Sequence, residues 1–129
     1  MKRKRFLSVD YAVVSILANL PSDVSTLTTE KPLLHTFFYN LRNKQFSLLK
    51  DIAFETNYFP YSESIEQAFD NIEMAGLISK TNPIFQKFTL NRKALNSFFE
   101  REIKSNLSSR QIKEIENVVR DFPELIAQP

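Results

Sequence analysis

Residues 59–79 read FPYSESIEQAFDNIEMAGLIS. Ile65, Phe69 and Ile72 recur at helical spacing and give one apolar face, with Ala68 and Ala75 at its edges. The spacing predicts a helix that starts near Ser62 or Ser64. Ser64 followed three residues later by Gln67 reads as a capping box. Gly76, the single glycine of the chain, stands immediately after the helix, where a left-handed residue ends a helix at least strain. Leu77-Ile78-Ser79 then reads as a strand. Thr81-Asn82-Pro83 is a turn, and Phe85 to Leu90 alternates as a second strand, so helix and β-hairpin are directly joined.

Upstream, Val9, Val13, Ile16, Leu17 and Leu20 form a helical stripe, with Ser8 or Asp10 as cap and Pro21 as stop. Ser22 to Thr28 is a polar connection. A second helix is capped by Thr29, carries Pro32 in its first turn, and buries Leu33, Leu34, Phe37, Phe38 and Leu41. Ile52 and Phe54 alternate with polar neighbours as a short strand, and Tyr58-Phe59-Pro60-Tyr61 is an aromatic loop. Downstream, Asn91 caps a fourth helix bearing Leu95, Phe98, Phe99 and Ile103. After a polar hinge at Ser105–Ser109, Ser108 and Gln111 form a second capping-box pattern. The fifth helix carries Ile112, Ile115, Val118, Val119 and Phe122, with Pro123 as its stop.

Helix, helix, short strand, helix and hairpin is the order of a winged helix-turn-helix. The expected class is therefore α+β, a winged helix-turn-helix with two extra C-terminal helices. Residues 1–7 form a basic N-terminal arm, 8–104 the winged-helix domain, and 105–129 a C-terminal helix. Two placements stay open for that last helix: packed on its own domain, or pairing with a second copy through residues 108–122 as a homodimer. The segment Phe59-Pro60-Tyr61-Ser62, with Ile65, Ala68-Phe69, Ile72 and Ala75-Gly76-Leu77-Ile78, resembles the Gly-Pro-Tyr-Ser motif and following helix of the SocA-type antitoxin-like domains, with Phe59 in place of the motif's glycine. The stripe Leu33-Leu34 with Phe37-Phe38-Tyr39 is similar to that of their second helix, so the resemblance covers residues 29–90. It implies an antitoxin- or adaptor-like role in binding a partner protein.

Composition narrows the chemistry. The 129 residues include no Cys, no Trp, one His and one Gly. That excludes a disulfide framework, a thiolate zinc site, a catalytic cysteine and an iron–sulfur cluster. One glycine cannot build a GxGxxG or GxxxxGK[ST] phosphate loop, and one His cannot make a two-His metal site. His35 has no Ser–Asp arrangement near it in sequence and reads as a surface or partly packed histidine. Glu63, Glu66, Asp70 and Glu73 have the spacing of di-metal carboxylates but lack His partners. Asp51 and Glu55 resemble a nuclease carboxylate pair without the lysine that should follow. The expectation is a protein that is not an enzyme and uses no cofactor or metal.

Charge points toward the partner. The net charge is +2, too small to argue for nucleic acid. Glu63 to Ala75 holds four acids and no Lys or Arg, on the helix that would enter a DNA groove in a winged helix-turn-helix. Each acid ~10 Å from a phosphate costs on the order of 0.4 kcal/mol even in water-like dielectric. Gln67 and Asn71 have carboxamides suited to an adenine edge, but the surrounding sign is wrong. The primary expectation is therefore a regulatory or interaction module binding a partner protein through Glu63, Glu66, Asp70 and Glu73 with Tyr58, Phe59 and Tyr61. Tyr39 and Tyr58 are the tyrosines expected near the surface. The alternative is a DNA-binding transcriptional regulator using the arm (Lys2, Arg3, Lys4, Arg5) and the wing region (Lys80, Lys87, Arg92, Lys93). Residues 31–50 add Lys31, Arg42, Lys44 and Lys50 with no acid. No run of 18 apolar residues exists, so no membrane span is expected. Asp10 interrupts the apolar stretch after the basic arm, against a signal peptide, and the expected location is cytoplasmic.

Overall fold

The computed structural model describes residues 8–80 and 87–126. In chain order the elements are α1 (Ser8–Ala18), β1 (Thr26–Thr28), α2 (Lys31–Asn43), α3 (Glu63–Met74), β2 (Ile78–Lys80), β3 (Lys87–Leu90), α4 (Arg92–Phe98) and α5 (Ser109–Ile126). A 3-10 turn at Ser47–Leu49 follows α2. A π-helical turn at Phe99–Ile103 and a 3-10 turn at Lys104–Asn106 continue α4. The class is α+β, and among the described residues there are five α-helices and one small antiparallel sheet of order β1-β3-β2. Among the described residues, no helix is long and apolar enough to cross a membrane.

The core is built around α1. Ala12, Val13, Val14, Ile16 and Leu17 are fully buried, and so are Asp10 and Ser15. The expected stripe is thus part of a helix enclosed nearly all round. α3, α4, α5 and the Ser47–Leu49 turn all pack on it, which only a helix apolar on most faces tolerates. Phe38, Phe69 and Phe88 run from α2 through α3 to β3, Phe69 lying 6.0 Å from Phe38 edge-on and 5.4 Å from Phe88 in a stack.

β2 and β3 pair antiparallel as expected, with Ile78 opposite Leu90 and Lys80 opposite Phe88. Thr81-Asn82-Pro83, Phe85 and the arm at 1–7 lie outside the described residues. The third strand is not where alternation placed it. Ile52 and Phe54 form no strand, and Thr26–Thr28 pairs with β3 instead, Leu27 opposite Phe88. Phe54 packs edge-on against Tyr39 at 5.3 Å and lies under Arg42, so its half-burial comes from α2 rather than from a sheet.

Local signals mostly act as the residue types dictate. Gly76 has φ +82°. The Leu77 amide donates to the Ile72 carbonyl and the Gly76 amide to the Glu73 carbonyl, the paired bonds of a Schellman ending. Asn91 caps α4 by accepting from the Ala94 amide. Ser108 and Gln111 form a reciprocal box, Ser108 Oγ accepting from the Gln111 amide at 3.1 Å and Gln111 Oε1 from the Ser108 amide at 2.9 Å.

Three expectations about helix ends need correction. Of the two starts read for α3, Ser62 is the cap, its hydroxyl accepting from the Ile65 amide at 3.2 Å, and the Ser64–Gln67 box is not the helix start. Glu30, not Thr29, is the N-cap residue of α2, and the Thr28 hydroxyl accepts from its amide. Pro123 does not stop α5, which runs on to Ile126. Ala75, placed at the edge of α3's inner face, is exposed. α5 packs on α1 and α2 of its own chain, with Ile115 only 2% exposed.

Candidate partner-binding face

The polypeptide reaches α3 through a pinched loop. Glu55 and Tyr61 exchange both backbone hydrogen bonds at 2.8 Å, so Thr56–Pro60 bulges from a closed base. Tyr58, at the tip, is 99% exposed. Phe59 and Tyr61 are half-buried and meet edge-on at 6.4 Å, so they support the tip rather than stand free. Glu55, Asn57, Tyr58, Phe59 and Tyr61 line a shallow cavity of about 180 Å³.

Beneath the loop lies His35. Its burial is complete, which corrects the expectation of a surface or partly packed side chain. Nδ1 accepts the Ser62 amide at 3.0 Å, and Nε2 lies 3.0 Å from Glu66 Oε1. The amide can only donate, so the imidazole proton sits on Nε2 and points at the carboxylate. The ring stacks on Tyr61 with centroids 4.6 Å apart. Burial pushes the imidazole below its ordinary value, against the pull of the Glu66 carboxylate. Lys31 Nζ donates to Glu66 Oε2 at 2.6 Å. Desolvation acts to raise the Glu66 carboxyl, but the hydrogen bonds from Lys31 and His35 outweigh it and hold the group below the usual range. The Lys31 ammonium is raised, chiefly by its bond to Glu66.

The expected acidic set therefore divides. Glu66 is an internal anchor joining α2, the loop and α3, not a free contact. Glu73 is half-buried, whereas Glu63 and Asp70 are exposed. Glu63, Gln67, Asp70 and Met74 follow one another at four, three and four residues and make one exposed ridge on α3, Met74 being 86% exposed. Asn71 is half-buried, and its amide donates to Asp10 on α1 at 3.1 Å, so it does not face outward to read a base. The Glu66 links to Lys31 and His35 span 35 and 31 residues, so no local pattern announces them.

The basic candidates are also divided. Lys80, Lys87 and Lys93 are exposed. Arg92 is committed: it donates to the Leu20 carbonyl at 2.6 Å and the Val24 carbonyl at 3.1 Å, tying α4 to the end of α1. Lys2, Arg3, Lys4 and Arg5 lie outside the described residues. Among the described residues, no group of three or more His, Asp or Glu is placed to hold a metal ion. Compared with protein-family models, with curated proteins and with solved structures, the chain matches none.

Proposed function

We propose that the chain is a non-enzymatic regulatory module of winged-helix type that binds a basic partner protein through the α3 ridge and the Tyr58 loop. The order α1-β1-α2-α3-β2-β3, with strand order β1-β3-β2, supports the winged-helix reading. In that reading α3 is the helix that would face phosphate. The observation that carries the proposal is the sign of its outer ridge: Glu63 and Asp70 project from it, with Gln67 and Met74, and it bears no cation. Repulsion from phosphate removes the main source of nucleic-acid affinity there. Exposed Met74, one turn from Asp70, and exposed Tyr58 on the loop before the helix suit a protein surface that offers lysine or arginine together with apolar contacts. The antitoxin- or adaptor-like role implied by the SocA-type resemblance is the same kind of activity.

The test is affinity capture from the native cell with the wild-type chain and with a Glu63→Lys/Asp70→Lys variant. A basic protein retained by the first and lost by the second supports the reading; equal retention by both contradicts it. A second reading, DNA binding, draws on exposed Lys80 and Lys87 at the hairpin. It predicts retention on duplex DNA with a steep salt slope.

A further inference from the structure

A second site lies at the opposite end of α2, independent of the partner-binding reading. There the chain leaving α2 and the first turn of α5 border an open groove of about 740 Å³. That size lies within the range of small-molecule sites, about 300–1,000 Å³. The residues that line it include three cations, Arg42, Lys50 and Arg110, with the hydroxyls of Ser47 and Ser108, and the stems of the long side chains add apolar surface. We propose that this groove binds a small soluble organic phosphate of nucleotide size.

Several observations converge on that chemistry. Arg42 is held in place: its guanidinium lies over the Tyr39 ring at 5.3 Å and the Phe54 ring at 5.0 Å, Nη1 donates to the Ile52 carbonyl at 2.8 Å, and Nε and Nη2 donate to Asn43 Oδ1 at 3.4 and 3.1 Å, which leaves one N–H on each Nη for a ligand. A fixed guanidinium loses little freedom on meeting a phosphate. Lys50 and Arg110 are exposed on the facing walls. The nearby carboxylate, Glu114, is engaged by the protein: Oε1 accepts from the Ser47 amide and hydroxyl at 3.2 and 2.8 Å, and Oε2 lies 3.7 Å from Arg110. The groove therefore holds three cations against one carboxylate, with Arg110 shared between Glu114 and the groove.

Gln45 adds an independent sign. It also lines the groove, and its φ is +67°. The Gln45 amide donates to Arg42 and the Phe46 amide to Leu41, so it ends α2 as Gly76 ends α3. Glycine is the unstrained residue at such a position. Glutamine instead brings a carboxamide to the wall in a left-handed backbone, and strain of that kind gathers at ligand sites.

The test is an amide-resolved NMR titration of the full chain with ATP and with inorganic pyrophosphate. Both should saturate, with shifts confined to residues 42–50 and 108–111. Lys50→Gln/Arg110→Gln should weaken ATP by about tenfold or more at unchanged Tm, as expected for two lost charge-assisted contacts. Non-saturating shifts, shifts centred on Lys80, Lys87 and Lys93, or full affinity in the double variant would overturn the proposal. So would tighter binding of duplex DNA than of ATP at the same residues, which would make the groove a nucleic-acid surface.

Discussion

His35 Nδ1 accepts the backbone amide of Ser62 at 3.0 Å, fixing one tautomer of the only histidine beneath the exposed loop. A second proton on the ring would have to sit on Nδ1, where it would confront the Ser62 N–H, donor against donor. The same contact joins α2 to the residue that caps α3.

The pH dependence of stability follows with a definite sign. His35 is held below its ordinary 6.5, so below that value the unfolded chain binds more protons than the folded one. Stability then falls as pH drops through 6.5 and levels off under the folded value. Glu66 is held below its ordinary 4.5, so its contribution is present above that value and is lost as pH falls further. Thermal melts across pH should show a decline that begins as pH drops through 6.5, and His35→Gln should remove that onset. A wild-type melting temperature that is flat through that onset would show that His35 does not titrate as described.

Glu66 and Glu63, three residues apart, should behave differently. Glu66→Ala leaves the buried Nε2–H of His35 unsatisfied and should cost on the order of 1–3 kcal/mol. The exposed Lys31 end adds little. Glu63→Ala, on the open ridge, should stay within about 0.5 kcal/mol. Urea unfolding of both variants measures the contrast, and equal effects would place Glu66 among the surface acids.

The two left-handed helix endings predict opposite shifts. A Cβ at Gly76 would meet nothing within 4 Å, so Gly76→Val should cost about 1–2 kcal/mol from backbone strain alone. Gln45→Gly relieves the same strain, partly offset by a more flexible unfolded chain, and should stabilise by about 0.5–1 kcal/mol. Chemical denaturation of the pair checks both signs.

Removal of one partner from the α5 box should act locally. Ser108→Ala should cost about 1 kcal/mol and speed amide exchange in the first turn of α5 more than in α3. Uniform loss of protection in both helices would mean that α5 does not fray as a separate unit.

Legibility in the sequence tracked the range of the interaction. Gly76, Asn91 and the Ser108–Gln111 pair act within a few residues of themselves, and their roles were readable. The helices were readable too, because their apolar faces repeat within one turn. β1 was hidden: Thr26-Leu27-Thr28 offers one apolar side chain, and its partner Phe88 lies 61 residues on. Ile52 and Phe54 alternate like a strand, yet Arg42 and Tyr39 supply the burial. Of the acidic set, Glu63 and Asp70 emerged outward as charge on a helix suggests. The inward role of Glu66 required Lys31 and His35, which only the tertiary fold brings to it.

The most direct measurement is an amide-resolved titration of the labelled chain at low salt with a short duplex DNA and, separately, with a lysine-rich amphipathic peptide. The account predicts that Glu63, Gln67, Asp70, Met74 and Tyr58 stay unshifted with the duplex and move saturably with the peptide. Movement of the α3 ridge on DNA, with no response to the peptide, would contradict it.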